Sequence, residues 1–120
     1  MLQPQVHPSP SVLDVPTRLW LLARARQALI AHFQGRRLPP PAPCPEGAEQ
    51  ARGCFVSLHT LTGELRGCLG TFEATEPLWR HVQEMVVAAA TRDPRFAPVE
   101  LEELEGIVLE ISVLSRRCPA

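Results

Sequence analysis

Residues 54–72 read C-F-V-S-L-H-T-L-T-G-E-L-R-G-C-L-G-T-F, and this stretch decides the fold. Aliphatic side chains recur at every second position on both sides of Thr62 and Gly63, which is typical of two β-strands joined by a tight turn. Glycine favours such a turn because it adopts backbone angles that other residues resist. The sequence therefore predicts a β-hairpin with a two-residue turn at Thr62 and Gly63.

The two faces of this hairpin differ in chemistry. Side chains two positions apart in a strand share a face, and a two-residue turn pairs Ser57 with Cys68 and His59 with Arg66. We expect these four polar side chains to lie together on one face. On the other face we expect the aliphatic side chains, Val56, Leu58, Leu65 and Leu69.

The polar face predicts a site centred on the Cys68 thiol. A nearby arginine favours the thiolate form of a cysteine, and a neighbouring histidine is the usual base for an activated thiol. In this hypothesis Cys68 is the nucleophile or acceptor, Arg66 stabilises its thiolate and His59 is the base. The alternative without chemistry is that Cys68 is a small residue filling a tight position in the sheet.

A second hypothesis makes the polar face a binding module for a protein or a small anion. Two glycines near Cys68 leave the backbone open to close approach, and Arg95 in a later loop offers a positive charge. Arg95 can equally pair with Asp93 or cap a helix end, and we favour this structural role. The candidate binding residues are Ser57, Gly67, Gly70 and Arg95.

The composition restricts the class of function. The chain has 120 residues, enough for one domain, and a formal net charge of −1, with arginine as its only basic residue besides histidine. This charge and the lack of an aromatic series argue against nucleic-acid binding, which we rank last. No apolar run reaches the length of a membrane span, and the N-terminus does not resemble a signal peptide. We therefore expect a cytoplasmic protein.

The four cysteines are not arranged as a metal site. Cys44, Cys54, Cys68 and Cys118 contain no C-x-x-C pair and no zinc-ligand spacing with the histidines. A disulfide framework is not expected in the cytoplasm, and Cys54 is expected to pack as a small hydrophobic residue. Because no phosphate-binding glycine motif is present either, we expect neither a metal nor a cofactor.

The N-terminal half predicts a tail, a helix and a connector. Residues 1–14 are polar and broken by prolines, which predicts disorder. A helix follows, with Asp14 as its N-cap and Gly35 at its end. Residues 37–52 are too rich in proline for regular structure and form either a connector, which we favour, or a polyproline ligand. Four arginines form either a basic patch or, as we favour, a solvated helix face: Arg24, Arg26, Arg36 and Arg37.

A second helix is predicted from Glu76, with Thr75 as its cap. It must end before Asp93–Pro94, because a residue that precedes proline avoids helical angles. His81 lies beside the apolar stripe of this helix, and we favour a half-exposed surface histidine over one that points into a site. In the following loop, Phe96 is expected to anchor to the core.

The last predicted element is a strand over residues 107–114, in which one face is wholly apolar. The element order is then helix, hairpin, helix, strand, which predicts an α+β fold with a largely antiparallel sheet. An exposed apolar edge strand recruits other chains, so we also expect self-association through this edge.

The segment G-C-F-V-S-L-H-T-L-T-G-E-L-R-G-C-L-G-T-F resembles the signature of the AMMECR domain family, whose hallmark is L-R-G-C-hydrophobic-G-T-F. The later segments D-P-R-F-A-P-V, E-L-E-E-L and L-E-I-S-V-L-S resemble the same family in the same order. The resemblance runs from about Leu19 to Ser115 and implies an AMMECR-like domain over residues 15–115.

The resemblance also implies partners and a boundary. Family members in prokaryotes resemble protein A of the AmmeMemoRadiSam system. That protein is encoded with, or fused to, a Memo-like protein and a radical S-adenosylmethionine enzyme, so these two proteins are the implied partners. Family members continue beyond the I-S-V-L-S strand, whereas this chain ends in R-R-C-P-A, an atypical tail at residues 116–120. We therefore expect this chain to be the N-terminal portion of the domain. It is either active on an unknown substrate or an inactive fragment.

Overall fold

In the computed structural model of this protein, residues 13–115 are described, and they form three α-helices, one 3-10 segment and three strands. The elements are α1 (Val15–Phe33), α2 (Glu46–Glu49), β1 (Cys54–His59), β2 (Leu65–Thr71), α3 (Leu78–Thr91), a 3-10 segment (Leu101–Gly106) and β3 (Val108–Val113). This order confirms the predicted α+β class. The predicted N-terminal tail lies, up to residue 12, outside the described residues, and so does the tail at residues 116–120.

The strands form one antiparallel sheet in the order β2-β1-β3, so that β1 lies in the middle. Cys54, Val56 and Leu58 are fully buried on the face of β1 that packs against the helices. The side chains between them lie on the opposite, outer face and are partly exposed. The predicted alternation of β1 is therefore present, and it separates an apolar core from a polar sheet surface.

The hairpin turn is one residue longer than predicted. The Gly63 N–H donates to the Thr60 carbonyl oxygen at 2.9 Å, and the Thr60 N–H donates to the Glu64 carbonyl oxygen at 2.8 Å. The turn is thus centred on Leu61 and Thr62, and Gly63 follows with a φ of 91° that favours glycine. Three-residue hairpin loops closed by a left-handed glycine are common.

A β-bulge between Leu58 and His59 compensates for the longer turn. Ser57 pairs with Cys68 as predicted, but His59 pairs with Leu65, so the predicted pairing of His59 with Arg66 is wrong. A bulge places two residues of one strand opposite one residue of the other and redirects side chains. Leu65 lies at the displaced tip and is exposed, although the alternation predicted it on the apolar face.

The ends of α1 follow the predicted signals. The Asp14 Oδ1 accepts a hydrogen bond from the Thr17 N–H at 2.9 Å, which caps the N-terminus. At the C-terminus, Gly35 adopts a φ of 70°, and the Arg36 N–H donates to the Ala31 carbonyl oxygen at 2.8 Å. This pattern is the glycine-terminated cap that closes many helices.

Helix α3 begins later than predicted and ends where predicted. Its N-cap is Pro77, which has no side-chain donor or acceptor, so the prediction that Thr75 caps the helix is wrong. The last helical residue is Thr91, two positions before Asp93 and the Pro94 stop. No helix within residues 13–115 combines the length and the apolar character that crossing a bilayer requires.

The loop after α3 is anchored by Val99 rather than by Phe96. Val99 is 3% exposed and belongs to the core cluster. Phe96 is only partly buried, and its ring lies 5.4 Å from the guanidinium carbon of Arg95. The prediction that Phe96 anchors to the core is therefore wrong, because the ring packs beneath a cation at the surface.

Strand β3 lies at one edge of the sheet. Its face towards α1 carries Leu109, Ile111 and Val113, which are partly buried, as the apolar alternation predicted. A groove of about 590 Å³ runs between these side chains and the N-terminal half of α1. The guanidinium of the buried Arg52 donates to the Leu114 carbonyl oxygen at 2.7 Å, which fastens the end of β3 beside the start of β1.

Gly67 is where β2 meets α3. A Cβ at this position would overlap the Ala89 carbonyl oxygen of α3. We expect Gly67→Ala to lower the free energy of unfolding by about 2 kcal/mol, because an added methyl must push the strand and the helix apart. Urea denaturation measures this change.

The matched control is Gly106→Ala, whose Cβ would meet only the Leu61 Cδ1 at 3.9 Å. If both variants unfold at the same urea concentration, the close approach of β2 and α3 is not a constraint on stability.

Candidate functional site

A row of polar side chains crosses the outer face of the sheet. Cys68 of β2, Ser57 of β1 and Glu110 of β3 are directly paired across the three strands, so their side chains share that face. Cys68 and Ser57 are partly exposed and Glu110 is exposed. The predicted juxtaposition of Ser57 and Cys68 therefore exists, at a partly exposed position of the sheet.

The His59 side chain contacts Ser57 of β1 and Glu110 of β3, at the end of this row that lies away from Cys68. Its Nε2 lies 3.1 Å from the Ser57 Oγ and 3.5 Å from the Glu110 Oε1. A Ser-His-acid relay requires the serine and the acid to contact opposite ring nitrogens, whereas here both contact Nε2. The arrangement thus fixes the imidazole in place but does not build a relay.

Arg66 is used to fasten the chain after α3. Its Nε donates to the Glu103 Oε1 at 2.9 Å, and its Nη1 donates to the Ala97 carbonyl oxygen at 2.8 Å. The hydrogen bond from the Arg66 side chain is the main cause that keeps the pKa of the Glu103 carboxyl below its ordinary value. The structure therefore does not bring Arg66 to the thiol, because its donors are bound to the loop and the 3-10 segment.

A buried carboxylate, Asp93, connects Cys68 to Arg95. Its Oδ2 accepts a hydrogen bond from the Cys68 N–H at 2.9 Å and lies 2.8 Å from the Arg95 Nη2. Its Oδ1 accepts from both the Arg95 N–H and the Arg95 Nε at 3.0 Å. The predicted pairing of Asp93 with Arg95 is confirmed, and the bond to Cys68 was not predicted.

These bonds hold the pKa of the Asp93 carboxyl well below its usual range. The hydrogen bonds from the Arg95 side chain are the largest cause, and burial opposes them. Asp93 is 4% exposed, so its ionised form depends on these donors. The carboxylate is therefore a fixed negative charge directly behind Cys68.

Arg95, and not Arg66, is the arginine whose guanidinium reaches the backbone of Cys68. Its side chain is 57% exposed, and its Nη2 lies 3.4 Å from the Cys68 carbonyl oxygen. The pKa of Arg95 is raised, first by its hydrogen bonds with Asp93 and then by the negative charge of that carboxylate. The D-P-R spacing is the sequence signal that could have identified this arginine.

The two candidate glycines have packing roles. Gly67 is buried and faces α3, so it does not line the outer surface, contrary to its prediction as a binding residue. Gly70 lies beneath the Phe55 ring, which a Cβ would overlap. The Phe55 ring in turn meets the Phe72 ring edge-on, with 5.4 Å between centroids. Both glycines therefore admit neighbours within the protein.

The other described cysteines are less available than Cys68. Cys54 is fully buried, and burial raises the pKa of its thiol to about 12. Burial also raises the pKa of the partly exposed Cys44 thiol. Cys118 lies outside the described residues. Within residues 13–115, no three histidine, cysteine or acidic side chains lie close enough to hold a metal ion.

His81 is buried, although the sequence favoured a half-exposed histidine. Its ring is on the inner side of α3 and is 4% exposed. Neither ring nitrogen has a hydrogen-bond partner among the described residues, and the Glu84 Oε1 lies 3.9 Å from Nδ1, beyond hydrogen-bond distance. A buried polar group without a partner lowers stability.

We expect His81→Leu to raise the free energy of unfolding by about 1 kcal/mol, because leucine fills the same space without unsatisfied nitrogens. Chemical denaturation measures this change. His32→Leu, at an exposed position of α1, is the control and should change stability by less than about 0.5 kcal/mol. A clear loss of stability in His81→Leu would contradict the prediction.

Asp93 should make stability depend on pH. A carboxyl whose pKa is lower in the folded state stabilises the fold above its unfolded pKa of about 3.9. That stabilisation disappears as the pH falls through the folded pKa. We therefore expect Asp93→Asn to be less stable than the parent at pH 7 and to show a flatter decline between about pH 5 and pH 2.

Thermal melts across this pH range test the prediction. Glu102→Gln removes an exposed carboxylate that has no ion pair within residues 13–115, and its pH profile should match that of the parent. Equal slopes for Asp93→Asn and the parent would exclude Asp93 as a source of the acid sensitivity.

Comparisons with known proteins agree with this architecture. The family model described as AMMECR1 matches residues 22–120. Protein MJ0810 of Methanocaldococcus jannaschii is 50% identical over 72 residues, which are 59% of this chain and 36% of that protein. A protein of Methanothermobacter thermautotrophicus is 44% identical over 96 residues, covering 79% of this chain and 50% of the relative.

A solved structure resembles the fold. The crystal structure of the uncharacterized protein PH0010 from Pyrococcus horikoshii matches with a TM-score of 0.78 and 32% sequence identity, covering 84% of this chain and 52% of that one. This chain thus spans about half the length, or less, of the proteins named here. Because the family model covers most of the sequence and a solved relative shares the fold, this chain belongs to the AMMECR1 family.

Proposed function

We propose that the outer face of the sheet is a cysteine-centred site, in which Arg95 binds an anionic group of a substrate and Cys68 supplies the reacting thiol. The observation that supports this proposal is the exposed Arg95 guanidinium beside the partly exposed Cys68. Guanidinium groups bind carboxylates and phosphates through paired hydrogen bonds. The substrate class is therefore an anion that carries an electrophilic centre close to its charge.

The position of Arg95 favours this use. The Asp93 carboxylate accepts hydrogen bonds from Nε and Nη2 of the Arg95 guanidinium. Within the described residues, Nη1 has no hydrogen bond and remains available to a ligand. Because the same carboxylate also holds the Cys68 N–H, the spacing between the guanidinium and the cysteine backbone is set before any ligand binds. Such preorganisation lowers the entropic cost of binding.

The proposed chemistry is transfer of a group to the thiol. The Cys68 Sγ releases its proton to solvent and donates its electron pair to an electrophilic atom of the substrate. The leaving group departs with the electron pair of the broken bond. His59 is not assigned the base in this step, because its Nε2 is bound to Ser57 and Glu110.

Alkylation tests the charge assignment. Iodoacetate and iodoacetamide have the same leaving group, but only iodoacetate is anionic. We expect Arg95→Gln to reduce the iodoacetate-to-iodoacetamide rate ratio at Cys68 by roughly two- to fivefold, the effect of a surface charge pair worth up to about 1 kcal/mol. Peptide mapping by mass spectrometry measures each cysteine separately.

Arg80→Gln is the matched control, since it removes the same charge from an exposed arginine that is paired with Glu76 instead. Its ratio should equal that of the parent. The buried Cys54 should remain unlabelled in the folded protein. An unchanged ratio in Arg95→Gln, or labelling of Cys68 no faster than that of Cys54, would contradict the proposal.

A second candidate function is binding without chemistry. It is favoured by one observation: within the described residues, Cys68 has no side chain at hydrogen-bond distance from its sulfur that could act as a base. In that case Arg95 binds an anionic ligand or partner, and Cys68→Ser retains the interaction. In the first candidate function, the same substitution abolishes transfer.

The partners and the compartment stay predictions. The family resemblance implies a Memo-like protein and a radical S-adenosylmethionine enzyme, and we propose these two as partners. Self-association is supported by the position of β3 at the edge of the sheet, where unpaired backbone groups can bind another strand. The cytoplasmic location is predicted from the sequence alone. Any activity of the longer relatives is, for this chain, a proposal.

A further inference from the structure

A second polar region lies on the helical layer of the protein, where the C-terminal end of α1 approaches α3. There a cleft of about 410 Å³ is lined by three arginines, Arg36, Arg37 and Arg92, together with His32 and Glu84. All five side chains are exposed. The cleft does not include Cys68 or Arg95, and it uses no residue of the site proposed above.

We propose that this cleft binds a small phosphate-bearing molecule. Three guanidinium groups face one carboxylate, so the lining carries an excess of positive charge. Within residues 13–115, Arg37 and Arg92 form no ion pair and no side-chain hydrogen bond, and Arg36 bonds only the neutral Gln34 amide oxygen, at 2.7 Å. Arginine charges that converge without acidic partners repel one another until an anion binds.

The ends of the helices do not account for these arginines. Cations often lie at helix C-termini because the carbonyl oxygens there carry a partial negative charge. In α1, however, the carbonyl oxygens of Ala31 and His32 already accept backbone hydrogen bonds, from the Arg36 N–H at 2.8 Å and from the Gly35 N–H at 3.1 Å. The arginine side chains are therefore not required as caps, and their charge exceeds the partial charge of the helix ends.

The shape of the cleft suits a molecule with an apolar portion. Its base is formed by small and aliphatic side chains, of which Ala28 and Ala31 are buried and Val87 and Leu38 are partly buried. The volume lies within the usual range of small-molecule sites, about 300–1,000 Å³. A nucleoside monophosphate or a similar phosphate ester matches both features, since arginine binds phosphate oxygens in pairs and the base offers apolar contact.

A small ligand is favoured over a nucleic acid. The chain has a net charge of −1, and the three arginines of the cleft line one pocket instead of a continuous tract. Nucleic-acid surfaces combine extended basic tracts with exposed aromatic side chains. The positive charge of the cleft therefore suits the binding of one or two phosphate groups.

Thermal melting of the full chain tests the proposal, with inorganic phosphate, pyrophosphate and 5′-AMP as probes and with chloride added to equal ionic strength. We expect pyrophosphate and 5′-AMP to raise the melting temperature in a saturable manner, as binding to the folded state requires. Arg37→Gln and Arg92→Gln should each weaken the apparent affinity by roughly tenfold or more, the loss expected for a charge-assisted hydrogen bond.

The same variants have a second readout. Without ligand, Arg37→Gln and Arg92→Gln should be as stable as the parent or more stable, because each relieves repulsion between like charges. Arg18→Gln, at an exposed position of α1 outside the cleft, is the control and should bind each probe as the parent does. A higher affinity for 5′-AMP than for inorganic phosphate would support the apolar part of the site.

Three results would overturn the proposal. The first is a response to pyrophosphate no larger than the response to chloride. The second is equal affinity in the parent, Arg37→Gln and Arg92→Gln. The third is tighter binding of a mixed-sequence single-stranded oligonucleotide than of every small probe, which would assign the cleft to a nucleic acid.

Discussion

The Asp93 carboxylate is the interaction on which the outer sheet surface depends. It accepts the Cys68 N–H from the edge of β2, while its partner Arg95 approaches the Cys68 carbonyl oxygen. A side-chain ion pair thus occupies the backbone donor and acceptor that another strand would otherwise use. Because Asp93 directly follows α3, the carboxylate also joins the end of that helix to the middle of the hairpin.

Arg66 supports the same connection from the other side of the loop. It binds Glu103 and two backbone carbonyl oxygens, so the chain between Asp93 and the 3-10 segment is held at both ends. Gly67 lies between these two anchor points and allows α3 to approach β2. The backbone at Cys68 is therefore fixed by its neighbours in sequence, each of which contacts a different element.

Local patterns predicted the elements and some of their ends. Cap signals identified Asp14 and Gly35, because each cap depends on residues only a few positions apart. The short hairpin placed Ser57 opposite Cys68, because the two strands are adjacent in sequence. The α+β class followed from the order of such patterns.

The site itself depends on contacts between distant residues, and there the sequence was less informative. Arg66 was expected beside the thiol, but it is turned to Glu103 by a bulge that no turn signal revealed. The burial of His81 and the bond from Cys68 to Asp93 depend on how α3 packs against the sheet. Alternation within one strand carries no information about that packing.

The position of β3 has a consequence for how the protein folds. β1 and β2 are adjacent in sequence and can pair early, but β3 pairs with β1 only after α3 and the 3-10 segment have been formed or looped out between them. Closing such a long loop lowers the chain entropy before any stabilising contact between β1 and β3 has formed, so pairing of this kind slows folding. We infer that the hairpin and α3 assemble first and that β3 docks last. β3 is then also the first strand to detach when the native state fluctuates, and its amides should exchange with solvent before those of β1.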